Sequence, residues 1–298
     1  MQCCAGKRSV KLLQMSVTIE KGVLYIVATP IGNLSDITYR AVEILKQVDV
    51  IACEDTRQTR KLLDRYGIEK PVLSYHEHNE QSRAEELVSK LQEGATMAQV
   101  SDAGVPGIAD PGYRVISLAI ARGVPVVPIP GPSALITALV GSGLPTDTFE
   151  FRGFLPAKSG QRRTVLEEMV NAQHTVILYE APHRIHETID DIVVSLGPER
   201  PLVIARELTK IHEEFLRGTA AEIQSTIRGR DIKGEITLLI GKAEVPIEKK
   251  QQVNLAERLQ QIMREQNLDE KAGLKVLAKE SRLARSEVYR EVQRTRRK

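Results

Sequence analysis

The chain reads as an α/β protein: two successive α/β domains followed by a helical, helix–turn–helix-like module. Three observations carry that reading. Short β-branched runs alternate with stretches whose apolar residues recur at helical spacing, a βαβα rhythm that implies a mostly parallel sheet covered on both faces. Several of those runs stop at Gly/Pro-rich loops, above all Gln99-Val-Ser-Asp-Ala-Gly-Val-Pro-Gly-Ile-Ala-Asp-Pro-Gly112 and Val126-Val-Pro-Ile-Pro-Gly-Pro-Ser-Ala134. Loops at the carboxyl ends of strands are where open α/β sheets bind ligands. Beyond residue 250 the patterning turns wholly helical.

Val23-Leu-Tyr-Ile-Val27 predicts the first strand. After a turn at Pro30–Asp36, Ala41, Ile44, Leu45 and Val48 share one helical face, and Asp49–Cys53 predicts the next strand. Ala84, Leu87, Val88 and Leu91 mark a helix that Gly94 stops at C′. Thr96–Val100 is a strand, Pro111–Arg122 a helix ended by Gly123, and Val124–Ile129 a strand. A crossing at Gly141–Asp147 leads to a second unit with strands at Thr175–Tyr179, Pro201–Arg206 and Glu235–Ile240. Between them Ile185, Ile189, Ile192, Val193 and Leu196 line a helix halted by Gly197-Pro198. A polar linker, Pro246–Gln252, precedes a face made by Leu255, Leu259, Ile262 and Met263. Ala272–Glu280 and Ser286–Arg294 then read as a helix–turn–helix pair with Ser286 as N-cap. The expected divisions are an N-terminal extension over 1–21, domains over 22–145 and 146–245, and the helical module over 251–298. Met15 is an alternative start, which makes residues 1–14 an extension.

Hydrophobic content of 42% and charged content of 27% are those of a soluble globular protein. The apolar runs are strand-sized, far short of a membrane span, and the first twenty residues hold no secretory h-region. Three cysteines make neither a disulfide framework nor a zinc pattern, which places the chain in the cytoplasm. The net charge of +3 hides an asymmetry. Residues 251–298 hold 12 Lys/Arg against 7 Asp/Glu, a balance of +5, and the remainder balances to −2. A basic helical tail points to a polyanionic partner, with a solvated helix surface as the plainer alternative.

Neither G-x-x-x-x-G-K-[ST] nor G-x-G-x-x-G follows the first strand, so the loops are not built for a polyphosphate. The motifs present are Leu24-Tyr-Ile-Val-Ala-Thr-Pro-Ile-Gly-Asn-Leu-Ser-Asp-Ile-Thr38, Glu54-Asp-Thr-Arg-Gln-Thr59, Tyr75-His-Glu-His-Asn79, Ser101-Asp-Ala-Gly-Val-Pro106, Phe151-Arg-Gly-Phe-Leu-Pro156, Tyr179-Glu-Ala-Pro-His-Arg184 and Arg206-Glu-Leu-Thr-Lys210. In this order they resemble the tetrapyrrole-methylase (class III) superfamily of S-adenosylmethionine-dependent methyltransferases over roughly residues 22–245. Within it the resemblance is to the branch that 2′-O-methylates a cytidine in 16S rRNA of the small ribosomal subunit. The superfamily's porphyrinoid-methylating members begin with a G-x-G-P-G-D-P loop, whereas this chain has Ala28-Thr-Pro-Ile-Gly-Asn-Leu34, which favours the RNA branch.

The resemblance implies a homodimer, with the donor S-adenosylmethionine in the cleft between the two α/β units. It places Pro30, Ile31, Asp102, Gly104, Val105, Ser133 and Ala134 around the donor from the first unit. From the second it places Tyr179, Glu180, Ala181, Leu208, Gly234 and Glu235 there. Asp102 is the expected polar contact, with a turn cap as the alternative. A ribose hydroxyl needs its proton taken as the new bond forms. Glu54 and Asp55 end a predicted strand and are candidate bases, with a helix N-cap and a salt bridge to Arg57 or Arg60 as the alternative. Glu180 is a third candidate, and Lys210 qualifies as a base only with a depressed pKa. Arg57 and Lys210 are expected at an adjacent phosphate. Phe151–Arg163 interleaves aromatics with Arg152, Lys158, Arg162 and Arg163, a pattern that clamps RNA. Its alternative is an ordinary connection with core phenylalanines, preferred for the aromatics. His76-Glu-His78 and His183-x-x-His186 match no metal motif, so no metal is expected. Two other functions stand beside rRNA methylation: tetrapyrrole C-methylation, and non-catalytic RNA-binding regulation.

Overall fold

The structure is a computed structural model that describes residues 19–77, 79–243 and 255–281, with 288, 289, 292 and 293 beyond them. Residues 1–18, the linker over 246–252 and Ser286 lie outside the described residues.

The first half forms one sheet from β1 (Leu24–Val27), β2 (Val50–Cys53), β3 (Val72–Ser74), β4 (Met97–Val100) and β5 (Val126–Ile129). Every pairing in it is parallel, in the order β3-β2-β4-β1-β5. Parallel neighbours need long crossovers. These are α1 (Tyr39–Gln47), α2 (Thr56–Arg65), α3 (Glu80–Gln92) and α4 (Tyr113–Ala121). The two-residue alternation of a strand splits each apolar run between two cores. Tyr25, Val27 and Ile51 meet Ile44 and Leu45 of α1. Leu24, Ile26 and Met97 meet Leu87, Val88 and Leu91 of α3 and Val115 of α4. Thr38 starts α1 by accepting the Ala41 N–H at 3.1 Å, and Gly94 follows α3 at φ +98°. The strands and helices expected in this half all form; α2 and β3 are additions. Each carries a weak signal, since α2 buries only Thr59, Leu62 and Leu63 and β3 spans three residues.

The second sheet comprises β6 (Phe149–Phe154), β7 (Thr175–Glu180), β8 (Pro201–Arg206), β9 (Glu214–Thr219) and β10 (Ile236–Ile240), ordered β6-β7-β10-β8-β9. Only β6 and β7 run parallel; the other three pairings are antiparallel. One face is covered by α6 (Ser159–Glu168), α7 (Ile185–Leu196) and α8 (Ala220–Ile227), which pack on Val176, Leu178, Leu202, Ile204 and Leu238. The other face receives α5 (Ala134–Ser142), the helix that follows β5 of the first sheet. Ala138 and Leu139 of α5 are buried with Ile177, Val203 and Leu239, and the same cluster contains Ile31 and Leu208. One helix thus seals the second sheet with side chains from the first half and draws the loop after β1 against the turn after β8.

The segment 151–163, expected as a basic loop, is instead the end of β6 and the start of α6. Phe151 is spent on packing: it is partly buried and lies edge-on to Tyr179 with ring centroids 4.9 Å apart. The edge strand β9 and helix α8 are further elements without a sequence expectation; β9 (Glu-Phe-Leu-Arg-Gly-Thr) carries too little alternation to announce itself. In the tail, α9 (Leu255–Gln266) and α10 (Glu270–Ser281) share a separate core of Leu259, Ile262, Leu274 and Leu277 with Val288 and Val292. No described helix is long and apolar enough to cross a membrane.

Candidate active site

Two cavities adjoin between the carboxyl ends of the first-sheet strands and the second sheet. The loop after β4 builds the wall they share. Thr29 and Gly104 exchange backbone hydrogen bonds of 2.9 and 3.1 Å, and Thr29 Oγ1 donates to the Ser101 carbonyl at 2.9 Å. Gly104 sits at φ +82°, a conformation that favours glycine. Gly131 passes so close to β1 that a Cβ there would lie 2.8 Å from that of Ala28. Farther along the same loop, Ala109 holds φ +59° and turns Asp110 inward, where Ser101 Oγ lies 2.6 Å from its Oδ2. A non-glycine residue in that region is strained, and such strain concentrates at functional sites.

The first cavity, about 340 Å³, is mostly apolar. Eleven of the thirteen residues expected around a donor line it: Ile31, Gly104, Val105, Ser133, Ala134, Tyr179, Glu180, Ala181, Leu208, Gly234 and Glu235. Pro30 and Asp102 do not. They line the second cavity, about 420 Å³, with Thr29, Gly32, Gln58, Lys61 and Lys210. Ile31, Ala103 and Glu235 border both. Asp110 and Thr237, which the sequence reading did not single out, also line the first cavity, as does Phe154, expected there only as a core or base-stacking aromatic. Asp110 stands inside the same Gly/Pro loop that pointed to Asp102, so the loop was legible and the choice of carboxylate was not. Phe154 is 55% exposed, an aromatic face open at the cavity rather than core.

The candidate bases separate on their partners. Asp55 is the N-cap of α2: its Oδ1 accepts the Arg57 N–H at 2.8 Å, and both oxygens take the Arg57 guanidinium at 3.1 and 2.8 Å. The Arg57 hydrogen bonds lower its pKa to about 2. The N-cap and salt-bridge alternative therefore describes Asp55. Glu180 is buried, pairs with Arg184 and accepts the Thr188 hydroxyl at 2.8 Å. Burial opposes the charge on Lys210, yet Glu207 at 2.7 Å and Glu235 at 3.0 Å outweigh it and hold its pKa above the ordinary lysine value. Lys210 is a standing cation and fails the condition for a base. Glu54 is half-buried, lines neither cavity, and is raised by burial and by the neighbouring carboxylates of Asp110 and Asp102.

The turn bearing Lys210 is tightly built. Glu207 and Thr209 hold φ +52° and +66°. A Cβ on Gly234 would lie 2.3 Å from the Glu207 side chain, and Glu207 N–H donates to the Glu235 carbonyl at 2.9 Å. Thr209 Oγ1 accepts the Asn33 N–H at 3.0 Å, which joins the two sides of the cleft.

Of the basic residues in 151–163, Arg162 is fully buried with its Nε 2.6 Å from Asp191, which removes it from any surface that RNA could touch. Arg163 reaches the same Asp191 at 2.5 Å and remains partly exposed. Arg152 is held by Glu150 and Glu168, both at 2.8 Å, and Lys158 is exposed. His78 lies outside the described residues, and His186 Nε2 sits 3.1 Å from the Arg230 carbonyl oxygen. Among the described residues no group of three His, Cys, Asp or Glu side chains is arranged to hold a metal ion.

Residues 23–224 match the family model described as Tetrapyrrole (Corrin/Porphyrin) Methylases. A Synechocystis protein named "Ribosomal RNA small subunit methyltransferase I" is 46% identical over 270 residues, covering 90% of this chain and 96% of its own. Proteins of the same name from Halalkalibacterium halodurans and Escherichia coli O157:H7 are 52% and 49% identical, each covering 74% of this chain, and 76% and 78% of their own. Among solved structures, cobalt precorrin-4 methyltransferase matches with TM-score 0.54 at 16% identity, over 74% of this chain and 95% of its own. Uroporphyrin-III-C-methyltransferase from Thermus thermophilus matches with TM-score 0.51 at 17% identity, over 74% and 94%. At such identities the likeness is one of fold.

Proposed function

The chain belongs to the tetrapyrrole methylase family, and from that premise we propose that it is an S-adenosylmethionine-dependent methyltransferase of small-subunit ribosomal RNA. The target is the ribose 2′-hydroxyl of a cytidine. The observation that carries this reading is the 46% identity to the Synechocystis rRNA methyltransferase across 90% of the chain, a span that reaches beyond the catalytic sheets.

The first cavity fits the donor. Its apolar walls suit an adenosine and a thioether chain, and Asp110 and Glu235 supply negative charge for a sulfonium and an ammonium group. When bound, that donor supplies an activated methyl group. The protein orients it and excludes water. Ile31, Gly104, Val105, Ser133, Ala134, Tyr179, Ala181, Leu208 and Gly234 hold it by shape, with Glu180 locking Tyr179–Ala181 through its buried ties to Arg184 and Thr188. Lys210, charged and fixed by Glu207 and Glu235, faces the second cavity as a phosphate contact. Arg57, Lys158 and the exposed part of Arg163 extend that role along the surface; Arg152 serves it only by giving up a glutamate. Glu54 and the capped Asp55 shape the electrostatics of the acceptor side.

Units over 22–145 and 146–245 frame the cleft, and the +5 module over 251–298 docks RNA. Ile136 and Val140 on the outer face of α5 are exposed and support association of two copies into a homodimer. The rRNA-methyltransferase names of the relatives support a cytoplasmic site of action.

Radiolabelled methyl transfer from S-adenosylmethionine is measured in parallel to small subunits, free rRNA and a porphyrinoid. Label in the small-subunit RNA, mapped to a 2′-O-methylcytidine, is the expected outcome. Transfer only to the porphyrinoid establishes the tetrapyrrole alternative, and transfer to none establishes a binding protein.

A further inference from the structure

We propose that Asp102 is the catalytic base of this reaction, acting from the second cavity on the acceptor hydroxyl, and that Gln58 and Lys61 of α2 with Lys210 hold the acceptor's polar groups there. The inference rests on the methyltransferase reading above. It departs from the expectation that Asp102 contacts the donor, because Asp102 lines the second cavity and is absent from the wall of the first.

Its geometry suits the task. Asp102 Oδ1 accepts the Asp55 N–H at 3.1 Å, so the start of α2 fixes the carboxylate's orientation. Among the described residues no donor reaches Oδ2. The next residue, Ala103, borders both cavities, which puts Asp102 at their junction. Every other carboxylate near the junction is engaged or set back. Asp55 is locked to Arg57, Glu180 to Arg184 and Glu235 to Lys210, while Asp110 faces Ser101 in the donor cavity. Gln58 and Lys61 lie one turn apart on α2, with Lys61 Nζ 3.0 Å from Gln58 Oε1, and both face this cavity. A short polar wall opposite Lys210 is what a ribose and its phosphate require.

The groups that set the charge on Asp102 come from every side. They are Asp55, whose N–H lowers and whose charge raises the Asp102 pKa; Cys53, Glu54 and Asp110, each raised in turn by Asp102; and Lys61, Lys210 and Glu235, which line the same cavity. Burial is the largest influence and raises the Asp102 pKa above the ordinary aspartate value, which favours proton acceptance. In the step itself the hydroxyl proton passes to Asp102 as the new C–O bond forms and the carbon–sulfur bond of the sulfonium breaks. A neutral thioether and a methyl ether remain, and the proton then leaves Asp102 for solvent.

The test compares wild type with Asp102→Asn and Asp102→Glu, each checked for a native circular dichroism spectrum and a single cooperative melting transition. It reads methyl transfer to small subunits across pH, S-adenosylhomocysteine affinity by calorimetry, and RNA affinity by filter binding. Asp102→Asn is expected to lower kcat by about 10²–10⁴-fold, leave both affinities within about threefold, and abolish the acid limb of the pH profile. Asp102→Glu should restore part of the rate with a displaced limb. Retention of kcat and of the acid limb by Asp102→Asn overturns the proposal. A tenfold or larger loss of S-adenosylhomocysteine affinity also overturns it and returns Asp102 to the donor site. If wild type itself transfers no methyl group to RNA while still binding S-adenosylhomocysteine, the failure lies with the rRNA reading, and the Asp102 role falls with it.

Discussion

On the first-sheet side of the molecule, Glu54, Asp102 and Asp110 are all raised above the ordinary carboxyl range, in each case chiefly by burial. Among the described residues none of the three has an ion-pair partner. In the second half the carboxylates are matched. Lys210 holds Glu207 down. Burial pushes Asp191 and Glu214 up, but Arg163 and Arg162 outweigh it at Asp191, and Arg230 and Arg206 at Glu214. The two halves therefore use charge for different ends. The first pairs Asp55 with Arg57 but leaves Glu54, Asp102 and Asp110 under tension in the loops after β2 and β4, where perturbed groups do chemistry; the second spends its arginines on holding itself together.

The largest expected effect tests the structural side of that contrast. Arg162→Met removes a fully buried guanidinium and leaves Asp191 with only Arg163 and Ser159. A loss of about 3–5 kcal/mol in urea unfolding is expected, as for a broken buried ion pair. Adding Asp191→Leu should recover much of it. A loss under about 1 kcal/mol, or a change confined to RNA binding, breaks the comparison.

If the arginines of the second half are structural, the phosphates must be met elsewhere. Removing residues 251–298 should weaken RNA binding tenfold or more and flatten the salt dependence by roughly 0.7 for each phosphate that the module neutralises. Filter binding from 50 to 300 mM salt checks it. An unchanged slope assigns phosphate recognition to the sheets instead.

The smallest effect sharpens the chemical side. Glu54→Gln, Asp102→Asn and Asp110→Asn should each raise stability at pH 7 by up to about 1 kcal/mol, the usual exchange between stability and function. The sign with pH follows from linkage. Raised folded-state pKa values mean that these groups stabilise the fold as pH falls through those values and lose that contribution as it rises. Asp191, Glu207 and Glu214 are depressed, so their contribution is complete above the unfolded carboxyl pKa and is lost as pH falls below it. Urea midpoints at pH 7 and pH 5 should therefore converge in the triple variant, while Asp191→Asn should be weaker than wild type at both. Identical pH dependence in wild type, the triple variant and Asp191→Asn removes the contrast.

Most of the frame was legible in the chain. Continuous apolar runs such as Leu24–Val27 and Val176–Leu178 identify strands buried on both faces, because a parallel or two-sided sheet needs apolar residues at every position. The Gly/Pro loops marked the carboxyl edge, because only certain backbones turn so sharply there, as Gly104 and Gly131 show. Those loops and the motif resemblance pointed to eleven residues that line the first cavity. The fate of each charge was not legible. Asp55 and Asp102 both follow strands, yet one caps the helix that follows it and the other waits in a cavity. Arg162 and Lys158 lie four residues apart in a basic stretch, yet one is buried on Asp191, 29 positions away, and the other is exposed. Likewise α5 begins beside the first sheet and completes the core of the second. Strand periodicity and turn chemistry are local and act through neighbours along the chain. Whether a carboxylate meets a guanidinium or a cavity depends on which distant element packs over it, and only the tertiary structure decides that.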